Sequence, residues 1–309
     1  MKIKVMISAP YMQMVIEQYR HIFEEKGIEL IIPSVKERMS EQELLKSING
    51  VHGVICGDDK FTSNVIDAAS KLKIIVKWGT GIDSIDEDAC SRRKILVRRT
   101  KNAFSEPVAE TVLGYILCFA RQIIFLDRNI KNGIWKKMMG TTLKESSLGV
   151  IGVGDAGKAV VRKANALGMR VMGFDIMDID LNFIRQTGLE LVSKETLLRE
   201  SDFISLNTDL NPTSYHLINE REFHIMKPTA YLINTSRGSV INENALMDAL
   251  YAKKIMGAAL DVFEEEPLPA NSPLREFDNV ILSPHNANSS PLAWERVHEN
   301  SINMLFEGL

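Results

Sequence analysis

A cation, an acidic cluster and an imidazole with complementary acid–base chemistry lie in the second half of the chain. Arg237, the glutamates of 264–266 and His285 each come shortly after an apolar run of strand length. The carboxyl ends of the strands in a parallel sheet border the ligand crevice, so we expect these three kinds of side chain to meet there. A guanidinium binds carboxylates, and an imidazole beside a carboxylate can donate or accept a proton near neutral pH. The set suits the reduction of a keto acid, or the reverse oxidation.

A glycine-rich turn in the middle of the chain indicates a dinucleotide site. Gly152, Gly154 and Gly157 form the pattern GxGxxG directly after an apolar run, with Asp155 and Ala156 between the last two glycines. The first glycine permits a tight turn, the second a close approach to pyrophosphate, and the third close packing of helix on strand. The helix that follows offers N–H groups and the positive end of its dipole to the phosphates.

Asp175 decides which dinucleotide we expect. This carboxylate ends the next strand, roughly 20 residues after the glycine turn, where an acid accepts the ribose hydroxyls. It would repel a 2′-phosphate, and residues 176–180 include no arginine to bind one. The sequence therefore predicts NAD rather than NADP. It predicts no metal site, because no histidine pair has the spacing of metal ligands.

The elements that must position these residues alternate between short apolar runs and amphipathic segments. This alternation is typical of βαβ units and a parallel sheet. The 309 residues, 45% hydrophobic and 25% charged, are enough for two globular domains. An amphipathic segment over 106–131 predicts one long helix with Ser105 as its N-cap, and a domain boundary near residue 102.

Charge and cysteine content argue against several classes of protein. The net charge of -3 gives no electrostatic footprint for nucleic acid. The three cysteines form no CxxC pair, so we expect neither a disulfide framework nor a thiolate zinc site, and a reducing cytoplasm is the simplest location. The start of the chain turns polar too soon for a signal peptide, and the most apolar helical stretch is too short to cross a membrane. We therefore expect no nucleic-acid and no membrane partner.

The order of these motifs resembles the D-isomer-specific 2-hydroxyacid dehydrogenase family, which includes D-3-phosphoglycerate dehydrogenase, from residue 51 to residue 298. The further matching positions are the substrate-loop segment 77–86, the interdomain-helix start 108–110, and Gly133, Trp135 and Gly140. The resemblance implies an α/β fold of two doubly wound parallel-sheet domains. A flavodoxin-like substrate domain would comprise residues 1–102 plus 286–309, and a Rossmann NAD-binding domain residues 103–285.

The resemblance also implies a role for each candidate residue. Arg237 would bind the substrate carboxylate and carbonyl, His285 would be the general acid in reduction, and Glu266 would hold the imidazole and favour its protonated form. The residues implied to contact the cofactor are Thr80, Gly152, Gly154, Asp155, Ala156, Gly157, Asp175, Thr208, Thr235 and, at the nicotinamide carboxamide, Asp261. The residues implied to contact the substrate are Lys77, Trp78, Gly79, Thr80 and Arg237. Trp294, in the last helix, fits packing in the core better than contact with substrate.

Two departures from the family pattern concern the far end of the substrate. Gly57, followed by Asp58 and Asp59, stands where phosphoglycerate enzymes often carry an arginine, which argues against a phosphorylated substrate. Conversely, Arg99 stands where the family often has asparagine, and we hypothesise that it binds a second anionic group of the substrate. An equally favoured alternative is that the basic residues of 92–101 form a solvated face. Phosphoglycerate, glycerate or hydroxypyruvate, and glyoxylate types of substrate all stay open.

Two functions of different classes fit these residues. The first is an NAD-dependent dehydrogenase of a D-2-hydroxy acid, and the second is an NADH-sensing, corepressor-like binding protein on the same scaffold. We expect the enzyme, because the sequence has no additional segment beyond residue 309. Glu266 disfavours a formate-type reaction, in which the partner of the histidine resembles glutamine. The resemblance also implies a homodimer formed through the cofactor domain, with the helix from Pro107 as a candidate contact.

Overall fold

The computed structural model describes residues 2–309, and these form two compact units. The first unit consists of two segments, the residues up to Ala103 and Ser290–Leu309. The second unit comprises Phe104–Ser289. The sequence places the two divisions at residues 102 and 285. The assignment of one part to substrate and the other to cofactor stays a prediction.

The first unit is built on a parallel sheet, because its strands are short, apolar and separated by helices. Within residues 2–309 its five strands are β1 (Ile3–Ile7), β2 (Ile28–Ile31), β3 (Gly53–Cys56), β4 (Ile74–Lys77) and β5 (Leu96–Arg99). They lie in the order β2-β1-β3-β4-β5, and every neighbouring pair is parallel. This is the flavodoxin-like order, in which the strand order reverses between β1 and β3. Ligands of such sheets bind beyond the carboxyl ends of the strands at that point.

Short helices connect these strands, and in two of them a side chain caps the first turn of the helix. The helices are α1 (Pro10–Gln13), α2 (Ile16–Glu25), α3 (Glu41–Ser47), α4 (Ser63–Ala68) and α5 (Glu87–Arg92). Ser40 and Glu43 form a capping box at the start of α3, and the Asp86 carboxylate accepts a hydrogen bond from Ala89 N at the start of α5. Such caps satisfy amides that have no partner inside the helix.

The second unit contains the larger parallel sheet. Within residues 2–309 its seven strands are β6 (Ser147–Ile151), β7 (Arg170–Phe174), β8 (Glu190–Leu191), β9 (Phe203–Leu206), β10 (Tyr231–Asn234), β11 (Gly257–Leu260) and β12 (Val280–Leu282). They lie in the order β12-β11-β10-β9-β6-β7-β8. This is the Rossmann order with one strand added at an edge, and the order reverses between β6 and β9. The predicted fold class, two doubly wound parallel sheets, is confirmed.

The helices of the second unit pack closely on this sheet. They are α6 (Ser105–Ala120), α7 (Ile123–Lys131), α8 (Asp155–Ala166), α9 (Leu181–Thr187), α10 (Lys194–Glu200), α11 (Glu220–Ile225) and α12 (Glu243–Tyr251), and the last helix of the chain, α13 (Pro291–Gly308), belongs to the first unit. Gly149 in β6 permits the close contact with α10, because a Cβ there would overlap the side chains of Leu197 and Ser201.

The prediction of one helix over 106–131 is wrong. The segment forms two helices, α6 and α7, because Gln122 between them adopts a left-handed conformation with a φ of +57°. Ser105 is the first residue of α6 rather than its cap, and Phe104 at the N-cap provides no side-chain hydrogen bond. In the described part of the chain no single helix is long and apolar enough to cross a membrane, and α6 with α7 meet the criterion only as a pair bent by 57°.

Candidate active site

The turn after β6 requires glycine at two positions. Gly152 has a φ of +86°, and a Cβ there would lie 2.7 Å from the carbonyl oxygen of Asn207. A Cβ at Gly157 would overlap the carbonyl oxygen of Gly152 itself. α8 begins at Asp155, and Gly154 at its N-cap supplies no side-chain cap to the first amides. The turn therefore presents backbone N–H groups and a positive helix end, an arrangement that holds a diphosphate.

Asp175 lies directly after β7 and is held in place by backbone amides. Its Oδ2 accepts a hydrogen bond from Val153 N at 2.6 Å, and its Oδ1 accepts one from Met177 N at 2.9 Å. The carboxylate is thus fixed against the glycine turn. Each carboxylate oxygen has a further lone pair, so both can also accept hydrogen bonds from ribose hydroxyls.

Two threonine hydroxyls at the same edge of the second unit's sheet fit a bound nucleotide. Thr208 follows β9 and Thr235 follows β10. Both Oγ1 atoms are buried and lack a hydrogen-bond partner among residues 2–309. Buried hydroxyls are ordinarily satisfied, so their arrangement suits a ligand that brings its own polar groups.

His285 and Glu266 form a hydrogen-bonded pair. His285 Nδ1 lies 3.0 Å from Glu266 Oε2, and the two side chains are only 22% and 16% exposed. The other oxygen, Oε1, accepts a hydrogen bond from Phe263 N at 3.0 Å, which fixes the carboxylate. An ionised carboxylate can only accept, so Nδ1 carries the proton of this bond and Nε2 is the nitrogen that can exchange a proton with a substrate.

Asp261 accepts hydrogen bonds from the backbone of His285 and of the two residues that follow it. Its side chain is fully buried, with Oδ1 accepting from Asn286 N at 2.9 Å and Oδ2 accepting from Ala287 N at 2.8 Å. Its carbonyl oxygen accepts from His285 N at 2.7 Å. These bonds hold His285 at a φ of +52°, in the left-handed region that residues other than glycine rarely adopt. Sequence comparison implies a carboxamide contact for Asp261, and the geometry adds this positioning role.

Arg237 stands on a turn that Asn234 organises. The buried Asn234 accepts hydrogen bonds from Ser236 N and Oγ, and its Nδ2 donates to the carbonyl oxygen of Arg237 at 2.8 Å. Gly238 follows, and a Cβ there would overlap the backbone of Phe263. The Arg237 turn therefore lies directly against the segment that leads to Glu266. Sequence reasoning missed Asn234, although an asparagine at the end of a buried strand is a common turn former.

A network of Glu243, Glu264 and His216 fixes the segment that leads to Glu266. Glu264 N donates to Glu243 Oε1 at 2.6 Å, Glu243 N donates to Glu264 Oε1 at 3.3 Å, and His216 Nε2 lies 2.8 Å from Glu264 Oε1. Burial and the neighbouring carboxylates raise the pKa of Glu243. The sequence offered no signal for this network, because its members are far apart in the chain. Despite the concentration of acids, residues 2–309 contain no group of three or more His, Cys, Asp or Glu side chains that could hold a metal ion.

The predicted substrate loop lies in the first unit, after β4. Lys77 is almost fully buried and pairs with Asp58 at 2.5 Å. Gly79 has a φ of +128°, so the loop turns through a conformation that favours glycine. Arg99 Nη1 donates to the carbonyl oxygen of Thr80 at 2.8 Å, which ties β5 to the loop.

The family is shown by comparison with known proteins. Residues 113–287 match the model of the D-isomer specific 2-hydroxyacid dehydrogenase, NAD binding domain. A glyoxylate reductase of Thermofilum pendens is 38% identical over 270 residues, 84% of this chain and 79% of that protein. A D-3-phosphoglycerate dehydrogenase of Methanocaldococcus jannaschii is 38% identical over 93% of this chain, but the match spans only 54% of that protein. The chain belongs to the D-isomer specific 2-hydroxyacid dehydrogenase family, and the predicted family is confirmed.

A solved structure agrees with this assignment over nearly the whole chain. A D-lactate dehydrogenase from Aquifex aeolicus, in complex with NAD and lactic acid, superposes with a TM-score of 0.89 at 27% identity, covering 98% of this chain and 94% of that one. The chain is accordingly an oxidoreductase that uses a nicotinamide nucleotide and a small 2-keto or 2-hydroxy acid. Glyoxylate, lactate and phosphoglycerate enzymes all occur among the relatives, so the comparisons leave the substrate open.

Proposed function

We propose that this dehydrogenase reduces a small 2-keto acid to the D-2-hydroxy acid with NADH, and that His285, Glu266 and Arg237 carry the chemistry. The observation that supports these roles best is the 3.0 Å pair between His285 Nδ1 and Glu266 Oε2, on a segment in contact with the Arg237 turn. A proton donor and a carboxylate-binding cation are thus held on neighbouring rigid elements, as proton-coupled reduction of a keto acid requires.

Each residue contributes a separate step. The Arg237 guanidinium binds the substrate carboxylate and polarises the keto oxygen. The bound cofactor supplies the hydride that reduces C2. His285 gives the proton on Nε2 to the keto oxygen, which becomes the hydroxyl, and Glu266 stabilises the imidazolium before the transfer. In the oxidation direction the neutral imidazole takes the hydroxyl proton back.

Residues of the first unit are proposed to bind the rest of the substrate. The backbone N–H groups of Gly79 and Thr80, flanked by Lys77 and Trp78, would donate hydrogen bonds to the substrate carboxylate. Arg99 holds the Thr80 carbonyl through one N–H, and the proposal that it also binds a second anionic group rests on its remaining donors. The contacts proposed for the cofactor involve the glycine turn, Asp155, Ala156, Asp175, Thr80, Thr208, Thr235 and Asp261.

The preference for NAD over NADP is proposed on charge. Asp175 is fixed by two amides where the ribose hydroxyls would lie, and Asp178 and Asp180 follow it with no lysine or arginine between them. A 2′-phosphate brought beside the fixed carboxylate of Asp175 would lose several kcal/mol, so we expect kcat/KM for NADH to exceed that for NADPH by at least about 100-fold. Absorbance at 340 nm with glyoxylate, hydroxypyruvate, pyruvate and 3-phosphohydroxypyruvate measures this ratio and the substrate preference together.

The same assay has clear contrary outcomes. Asp175→Ser should bring the cofactor ratio below about tenfold, because the charge that repels the phosphate is gone, whereas Asp178→Ser removes an exposed charge and should change it little. Equal use of both cofactors by the wild type would overturn the proposed preference. Tight NADH binding without turnover of any keto acid would overturn the enzymatic proposal in favour of an NADH-sensing binding protein.

We further propose that two copies of the chain associate through an apolar surface of the second unit. No residue of α7 is buried, and after it Trp135 and Met139 are 89% and 96% exposed. Ile123, Ile130 and Ile134 are also about half exposed. Large apolar side chains concentrated on one surface segment mark an association site, and tryptophan and methionine are enriched at interfaces.

A double substitution tests this dimer. Trp135→Asp with Met139→Asp places two charges in the proposed contact, so the mass in solution should fall from that of a dimer to 34.7 kDa. Size-exclusion chromatography with light scattering measures it. Met14→Asp, at an exposed methionine of the first unit, is the matched control and should stay dimeric. A monomeric wild type, or a double variant that stays dimeric, would refute the proposed surface.

A further inference from the structure

Three aromatic side chains meet at the carboxyl edge of the first unit's sheet. Tyr11, Trp78 and Trp294, here called the aromatic trio, have ring centroids 5.3 Å (Tyr11–Trp78), 4.7 Å (Tyr11–Trp294) and 5.7 Å (Trp78–Trp294) apart. Tyr11 lies on α1 after β1, Trp78 follows β4, and Trp294 lies on the first turn of α13. These tilted and edge-on contacts fix the rings as a rigid apolar wall.

The two indoles of the trio differ in their hydrogen bonding. Trp78 Nε1 donates to Nδ1 of the buried His298 at 2.9 Å. Trp294 Nε1 is buried, yet it has no acceptor within residues 2–309. A buried donor is normally satisfied, because leaving one unpaired costs about 1–3 kcal/mol. The Trp294 N–H is therefore suited to an acceptor that a ligand brings.

The location of the trio relates this N–H to a particular part of the substrate. Trp78 directly precedes Gly79 and Thr80, whose amides are the proposed site of the substrate carboxylate. The strand order reverses between β1 and β3, so a ligand at this edge lies near the ends of β1, β3 and β4. The carbon beyond the keto group is two bonds from the carboxylate carbon. A substituent on that carbon is therefore within reach of the trio.

The charges at this edge favour a neutral substituent. The ammonium of Lys77 is paired with Asp58 at 2.5 Å, and the neighbouring Asp59 is fully buried, accepting from Ser8 Oγ at 2.6 Å and Met39 N at 2.5 Å. At the ends of β3 and β4 one cation thus faces two carboxylates, and the guanidinium of Arg99 at the end of β5 already donates to the carbonyl oxygen of Thr80. A hydroxyl oxygen needs only a neutral donor, such as an indole N–H.

From these observations we infer that Trp294 is a specificity-determining residue, and that its indole N–H donates to an oxygen on C3 of the substrate. The substrate class so selected is that of 2-keto acids with a hydroxyl on C3, such as hydroxypyruvate, over those with a C3 methyl, such as pyruvate. The inference rests on the proposed function and narrows it to one substrate class.

The substitution Trp294→Phe removes the N–H and keeps an aromatic ring. We expect the ratio of kcat/KM for hydroxypyruvate to that for pyruvate to fall about tenfold, the size of one neutral hydrogen bond. Values for pyruvate and glyoxylate, which lack an oxygen on C3, should stay within about twofold. Both substrates are measured on one preparation, so the ratio does not depend on how much of the variant is folded.

Leu292→Ala, at an exposed position of the same helical turn, is the matched control and should leave the ratio unchanged. An unchanged ratio in Trp294→Phe, with turnover of both substrates, would overturn the inference and leave the proposed function intact. A wild type that reduces pyruvate as well as hydroxypyruvate would overturn it as well. Failure of the proposed function itself would appear differently, as no turnover of any keto acid by the wild type.

Discussion

Replacing His285 with glutamine is expected to lower kcat for keto acid reduction by about 10²–10⁴-fold, the contribution of a positioned general acid. Glutamine can still occupy the space beside Glu266 but cannot transfer a proton to the keto oxygen. NADH binding should be retained, because the residues proposed to bind the cofactor are unchanged. Steady-state rates measure the loss of activity, and a fluorescence titration with NADH measures binding.

The pH dependence separates a proton donor from a residue that only supports the fold. Reduction needs the protonated imidazole, so kcat/KM of the wild type should decline as the pH rises and the imidazolium loses its proton, and the His285→Gln variant should lose this decline. His224→Gln, at an exposed histidine on α11, is the matched control and should behave as the wild type. A His285→Gln variant that keeps a rate within about tenfold of the wild type would refute the role of His285 as general acid.

The candidate residues that the sequence singled out are those that belong to a local pattern. The glycines of GxGxxG are required by steric contacts within a single turn, since a Cβ at Gly157 would overlap the carbonyl oxygen of Gly152. The family resemblance implied the pair of Glu266 and His285, and parallel strands that end at the same edge explain why an acidic cluster and an imidazole come together. The alternation of apolar runs and helices predicted parallel sheets, and the family resemblance implied the two doubly wound domains.

The features that the sequence did not locate depend on tertiary contacts. Gln122 breaks the helix at a position whose sequence has no glycine or proline, so no local signal marked it. The network of Glu243, Glu264 and His216 joins α12 to two separate loops, and only the folded backbone brings them together. Trp294 fitted core packing by its sequence context, and the burial of Nε1 without a partner becomes visible only in three dimensions.

Arg237→Gln should reduce kcat/KM for every keto acid by about 10²–10⁴-fold, because two charge-assisted hydrogen bonds of about 1.5–3 kcal/mol each are lost and 1.4 kcal/mol is tenfold. Both kcat and KM should change, since the guanidinium is proposed to bind the carboxylate in the ground state and the developing oxyanion in the transition state. Arg237→Lys keeps the charge without the planar pair of donors, so its activity should lie between those of the wild type and Arg237→Gln.

The structure allows this loss to be separated from damage to the turn. Asn234 holds the turn through the backbone and side chain of Ser236 and through the carbonyl of Arg237, and both Arg237 variants keep these bonds. Arg237→Gln removes one further bond to the turn, from Arg237 Nη1 to the carbonyl oxygen of Ser236 at 3.0 Å. Thermal melting and the dissociation constant for NADH should therefore stay near wild-type values, and Arg221→Gln on α11 should leave all the kinetic constants unchanged. If Arg237→Gln kept kcat/KM within about threefold of the wild type, less than one charged hydrogen bond would have been lost, and the substrate carboxylate would have to be bound elsewhere.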